Sequence, residues 1–139
     1  MKRGRRLAFD YGDVRIGVAI SDPDAILASP LVVLKSSDRE LLKKISDLIA
    51  EYEPVRIFVG LPVNMSGSES ESSEKARRFA QEVEKIAKIP IVLVDERLST
   101  VNAQSKAKVS GKSLRETKEL IDALAAVEIL ESGMSHDLS

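Results

Sequence analysis

Apolar residues run in short blocks through the first third of the chain, recur at helical spacing after it, and then the two habits alternate. Leu7 to Tyr11, Arg15 to Ser21 and Ser29 to Leu34 read as three strands joined by Gly- and Pro-containing turns, an antiparallel meander. Glycines 12 and 17 bracket the first reversal, so this unit is a β-hairpin with an acidic side chain, Asp10, on its first arm. Ser37-Asp38-Arg39-Glu40 has the form of a capping box. Leu41, Leu42, Ile45, Leu48, Ile49 and Tyr52 then repeat at helical spacing until Pro54. Val55 to Gly60 is a buried strand. Ala76, Phe79, Ala80, Val83, Ile86 and Ala87 make the stripe of a second helix closed by Pro90, and Ile91 to Val94 is a fifth strand. A helix from about Ser99 and a final one capped by Ser113-x-x-Glu116 complete the order βββαβαβαα, an α/β fold with parallel crossovers in its second half.

The one long irregular stretch is Pro62 to Ser73, rich in Ser and Gly, with Asn64-Met65-Ser66-Gly67 near its start; a loop of this length in a compact domain is mobile or functional. No repeat or linker divides the 139 residues, so residues 1–139 are expected to form a single domain. Apolar runs fall far short of a membrane span. Leu7-Ala8-Phe9 is also too short for a signal-peptide core before Asp10 interrupts it, so the expected location is the cytoplasm, with no membrane partner.

Three acidic positions break apolar elements. Asp10 ends a strand-like run, Asp95-Glu96-Arg97 follows a strand directly, and Asp122 sits in a final helix that is apolar nearly all round. Period-two alternation lets only one of Asp95 and Glu96 share a sheet face with a given neighbour. An unpaired carboxylate beside a core costs several kcal/mol to desolvate, so each needs a cation or donors. Local explanations exist for each: turn amides for Asp10, Arg97 or a helix cap for Asp95 or Glu96, and Lys118 one turn earlier for Asp122. Taken together, the three are what a two-metal phosphoryl-transfer site requires, with its cations roughly 3.5–4 Å apart.

Composition narrows the chemistry to carboxylates. There is no cysteine, and the one histidine, His136, lies near the C-terminus, which removes disulfides, Cys-rich zinc sites, a cysteine nucleophile and a Ser-His-Asp triad. Oxygen ligands suit Mg²⁺ or Mn²⁺. Net charge is −1, but Lys106, Lys108, Lys112, Arg115 and Lys118 cluster with only Glu116 among them, while Ser66 to Glu74 carries three Glu and no base. Either run reads as a solvated face or as part of a binding surface.

Phe9-Asp10-Tyr11-Gly12, Arg15-Ile16-Gly17-Val18-Ala19, Val59 to Gly67, Asp95-Glu96-Arg97-Leu98-Ser99-Thr100 and Ile121 to Ala126 together resemble the YqgF (RuvX) family, in the right order over nearly the whole chain. That family is described as Holliday junction resolvases, or as nucleases processing the 5′ end of the small-subunit ribosomal RNA precursor, related to RuvC. The resemblance implies the ribonuclease H-like fold, a five-stranded mixed sheet with helices on both faces. It also implies an acidic triad of Asp10, Asp122 and Glu96 or Asp95, with Glu96 favoured, holding Mg²⁺ (or Mn²⁺). Ser66 stands where the family commonly has Asp, so it is not counted as a ligand. On this reading the partner is nucleic acid, an rRNA precursor or branched DNA. Lys106, Lys108, Lys112 and Arg115 would hold its phosphate backbone, Arg97 and Asn64 would lie nearer the cut, and the protein would be a monomer or weak homodimer.

Two rivals remain. Asp10-x-Gly12 with Gly17 also resembles the phosphate loop of actin-like and sugar-kinase ATPases, but those need a second domain, for which 139 residues leave no room. The other is a non-catalytic nucleic-acid-binding or ribosome-assembly factor that retains the fold.

Overall fold

The computed structural model describes residues 3–98 and 114–138. Five strands, β1 (Arg6–Tyr11), β2 (Arg15–Ser21), β3 (Ala28–Lys35), β4 (Arg56–Leu61) and β5 (Ile91–Asp95), form one sheet in the order β3-β2-β1-β4-β5. β1, β2 and β3 are the expected antiparallel meander, and β4 and β5 join in parallel through helical crossovers, so the sheet is mixed. Pro30, which has no N–H to offer a ladder, lies on β3 at the sheet edge beside a register shift.

Helices α1 (Leu41–Tyr52) and α2 (Glu71–Ala87) cover one face, and α3 (Leu114–Leu138) covers the other. The first interface buries Leu7, Phe9, Ile16, Val18, Ile57 and Val59 against Ile45, Phe79 and Val83; Phe79 meets Phe9 edge-on with ring centroids 5.6 Å apart. The second is built on small residues: Ala8 and Ala19 of the sheet face Ala126, with Phe58, Ile129 and Leu130 filling the wider gaps. Alternation along β1 thus sends Phe9 to α1 and α2 and Ala8 and Asp10 to α3. At its far end α3 is fixed by Asp137. Its carboxylate accepts from the fully buried Arg6 guanidinium (3.3 and 3.2 Å) and pairs with Arg56 (3.2 Å), giving the buried arginine the charged partner it needs.

Two expectations are revised. Ser37 and Glu40 do not form a capping box at α1. Asp38 accepts the Glu40 N–H (2.8 Å) and binds Lys44, and its carbonyl accepts from Leu41, so the shorter acidic side chain holds the helix start. The second helix begins at Glu71, earlier than its apolar stripe, where the Ser70 N–H donates to Ser73 Oγ (3.0 Å). Ser73, buried, in turn donates to the Pro62 carbonyl and closes the preceding loop. The expected helix from Ser99 lies outside the described residues.

A candidate carboxylate centre

Asp10 reaches the end of β1 opposite Gly17 of β2 in the antiparallel ladder. A Cβ on Gly17 would stand 2.0 Å from the Asp122 carbonyl oxygen, so this glycine lets the α3 backbone lie directly on the sheet and brings Asp122 beside Asp10. A second glycine does the same for the third carboxylate. Gly60 of β4 has Glu96 side-chain carbons 2.9 and 3.0 Å from the place its Cβ would take, with Ile129 of α3 at 2.5 Å. Asp10, Glu96 and Asp122 therefore meet on the α3 face, between the ends of β1, β4 and β5.

The Asp10 and Glu96 carboxyls share a hydrogen bond. Asp10 titrates well above the ordinary carboxylate range, first because burial disfavours its charge, then through the bond to Glu96 and the repulsion of Glu96 and Asp122. Glu96 is also raised, by burial first and also by the Asp95 charge, while the bond to Asp10 pulls it back. Two carboxyls in this contact need a proton or a cation between them, and an all-oxygen donor set fits Mg²⁺ or Mn²⁺. Asp122 Oδ2 accepts from Arg15 Nε at 2.5 Å, and among the described residues no three acidic side chains are gathered closely enough to hold a metal ion.

Asp95 faces elsewhere. It continues the Ile91 and Leu93 side of β5, whereas Glu96 opens a 3-10 turn (Glu96–Leu98) on the Val94 side. The Arg97 guanidinium grips Asp95 at 2.6 to 3.1 Å, and the Arg97 N–H adds a bond of 2.9 Å, which together hold the Asp95 carboxyl below its usual range. Of the Asp95-Glu96 pair, the structure brings only Glu96 to Asp10. Arg97 also donates to the Met65 carbonyl (3.2 Å) and so ties the end of β5 to the loop after β4. That loop is internally bonded: the Asn64 N–H donates to the Ser68 carbonyl (2.9 Å), the Gly67 N–H to the Asn64 carbonyl (2.8 Å), and Asn64 Nδ2 to Ser68 Oγ (2.9 Å). Asn64 is exposed near Arg97 with its amide engaged in the turn.

Lys106, Lys108 and Lys112 lie outside the described residues, and Arg115 falls in the first turn of α3, where only the backbone is described. Asp122 has Arg15 for its partner rather than Lys118. Sequence reasoning quoted Arg15 inside a motif without giving it a role. The signal was available in its parity with Gly17, which puts both on the face of Asp10.

The profile of the family described as RuvX, Holliday junction resolvase, matches residues 4–136. A relative from Streptomyces coelicolor, named as a candidate pre-16S rRNA nuclease, is 45% identical over 139 residues, covering 99% of this chain and 83% of that protein. A second, from Streptomyces avermitilis with the same name, is 42% identical over 99% of this chain and 89% of its own length. Among solved structures, Thermus thermophilus RuvC in complex with a Holliday junction substrate superposes with a TM-score of 0.59, covering 98% of this chain and 96% of that one. At 14% identity that likeness shows the fold, the RuvC-type ribonuclease H-like sheet with the strand order described above. With the family profile spanning nearly all of the chain and full-length relatives above 40% identity, the protein belongs to the RuvX family of nucleases, hydrolases of phosphodiester bonds.

Proposed function

We propose that the protein is a divalent-metal-dependent endonuclease acting on structured nucleic acid, with Asp10, Glu96 and Asp122 as its catalytic carboxylates. The observation that carries this reading is the direct contact of the Asp10 and Glu96 carboxyls with Asp122 close by, an arrangement costly to keep unless a cation compensates it. Mg²⁺ or Mn²⁺ bound there would supply Lewis-acid stabilisation of the phosphoryl oxygens and a more acidic water. Asp10 and Glu96, once deprotonated, orient the attacking oxygen and the phosphodiester. Asp122, carried on α3 rather than on the sheet, brings its carboxylate up from the side. Asp95 holds Arg97 in place beside the loop from Pro62 to Ser70.

The substrate is the 5′ end of precursor 16S rRNA or a branched DNA; the relatives' names support the first and the family description the second. Lys106, Lys108, Lys112 and Arg115 contact the phosphate backbone, with Arg97 and Asn64 nearer the cut, and the few aromatic residues (three Phe, two Tyr) leave little for base stacking. Residues 1–139 act as one domain, monomeric or weakly dimeric. No helix among the described residues is long and apolar enough to cross a membrane, which accords with a role in the cytoplasm.

Cleavage of a four-way DNA junction and of a precursor 16S rRNA fragment, run side by side with Mg²⁺, Mn²⁺ and chelator, tests the proposal. Divalent-dependent hydrolysis of either that is lost in Asp10→Asn is the expected result. Tight binding in chelator without hydrolysis under any condition would identify a non-catalytic binding or assembly factor instead.

A further inference from the structure

Arg15 and Lys35 are direct cross-strand partners at the ends of β2 and β3. Like charges directly opposite each other on an antiparallel pair repel, so such a pair persists where an anion lies between or beside it. Arg15 has its anion in Asp122. Lys35 enters no ion pair among the described residues; the nearby charge acting with it is that of Asp38. Both cations line a cleft of about 360 Å³ that also takes in Ser37 and, from α3, Glu119 one turn before Asp122. The cleft's sheet wall is firmly set: just past β3 the Ser36 N–H donates to the Val14 carbonyl (2.9 Å) and Ser36 Oγ to the Gly12 carbonyl (2.5 Å). Arg15 therefore sits on the boundary between this cleft and the carboxylate centre.

We propose that Arg15 and Lys35 form a second nucleic-acid site, a backbone phosphate clamp, and that Arg15 exchanges Asp122 for a substrate phosphate when a divalent cation takes the Asp122 carboxylate. This rests on the reading of Asp10, Glu96 and Asp122 as the nuclease centre. Arg15 and a metal ion would draw on the same carboxylate charge, so a divalent ion bound to Asp122 weakens its hold on the guanidinium. Displaced from Asp122, the planar Arg15 fork faces the cleft beside Lys35 with hydrogen-bond donors that match phosphate oxygens. The site reads no base: one guanidinium, one ammonium and a hydroxyl recognise a phosphodiester of either RNA or DNA.

Binding of two four-way junctions of unrelated sequence and of one RNA hairpin, measured by fluorescence anisotropy across a salt series with Ca²⁺ in place of Mg²⁺ and all three carboxylates kept, tests the clamp. Lys35→Ala and Arg15→Gln should each weaken all three ligands to a similar degree and flatten the plot of log affinity against log salt by about 0.7 to 0.9, with Arg15→Lys restoring part of the slope. Unchanged slopes in both variants would overturn the clamp and leave an ordinary solvated face. Calorimetric titration with Mn²⁺ alone tests the exchange. Arg15→Gln should bind the ion more tightly than the unaltered chain, and Lys35→Ala, at an exposed position that makes no ion pair with Asp122, should bind it equally. Equal or weaker Mn²⁺ binding by Arg15→Gln, in a protein whose thermal melt shows it folded, would overturn the exchange. Mn²⁺ affinity that is the same in Asp10→Asn as in the unaltered chain would instead remove the nuclease-centre reading, whatever the salt slopes show.

Discussion

Asp10 stands opposite Gly17 in the β1–β2 ladder, and the Asp122 backbone passes over that glycine closely enough that a Cβ would touch its carbonyl. The absence of a side chain at one position thus sets the distance between two charged ones. Gly17→Ala should destabilise the protein by about 3 kcal/mol or more, because the clash is with helix backbone and cannot be relieved by a rotamer change. Denaturant unfolding measures this. A loss well under 1 kcal/mol would mean that α3 can lift from the sheet, and with it Asp122 from Asp10.

Asp10→Asn should abolish cleavage and stabilise the fold at neutral pH by about 1 kcal/mol, since it removes a buried acid that must either take up a proton or stand charged against two other carboxylates. The sign follows from linkage. The folded Asp10 carboxyl binds its proton more tightly than the unfolded one, so the unaltered protein loses stability as pH rises from the unfolded value through the raised folded one. The advantage of the variant should therefore be full above the folded value and vanish in acid, where both states are protonated. Unfolding curves at neutral and acid pH check it, and a variant less stable at neutral pH would make Asp10 a structural anchor.

Cleavage should also fail on the acid side at a pH above the ordinary carboxylate range, because the proton shared by Asp10 and Glu96 competes with the divalent cation. Raising the Mg²⁺ concentration should move that acid limb to lower pH. A limb that ignores metal concentration would place the titrating group elsewhere.

Glu96→Gln and Asp95→Asn should part company. The first removes the carboxylate that touches Asp10 and should reduce cleavage to background. The second frees Arg97 from its grip and should loosen the loop after β4 while keeping divalent-dependent hydrolysis. Comparable losses of hydrolysis from both, with both proteins folded, would show that the adjacent acids act as a unit.

Much of this was legible in the chain. Strand and helix periods gave the order of the described elements, and interruption of apolar runs singled out Asp10, Asp95-Glu96 and Asp122, because a carboxylate in a buried element is conspicuous against its neighbours. The choice of Glu96 over Asp95 depended on which side of β5 faces α3. That follows from where Val92 and Val94 pack rather than from the local sequence, in which the two acids are equivalent. Arg15 was hidden for a similar reason: 107 residues separate it from Asp122, and no local pattern encodes a pairing made across a sheet. The Ser37 to Glu40 box failed because Asp38 offered a nearer acceptor to the same backbone.

The anchoring of Asp137 by Arg6 and Arg56 gives α3 a fixed angular phase. Because that grip lies four turns from Asp122, the helix between them behaves as a keyed shaft: removing one residue from the intervening segment turns the near end by about 100° relative to the far one. Asp122 would then point away from Asp10 although every carboxylate and every strand remained, so the spacing of 122 and 137 is as much a part of the centre as the acids themselves.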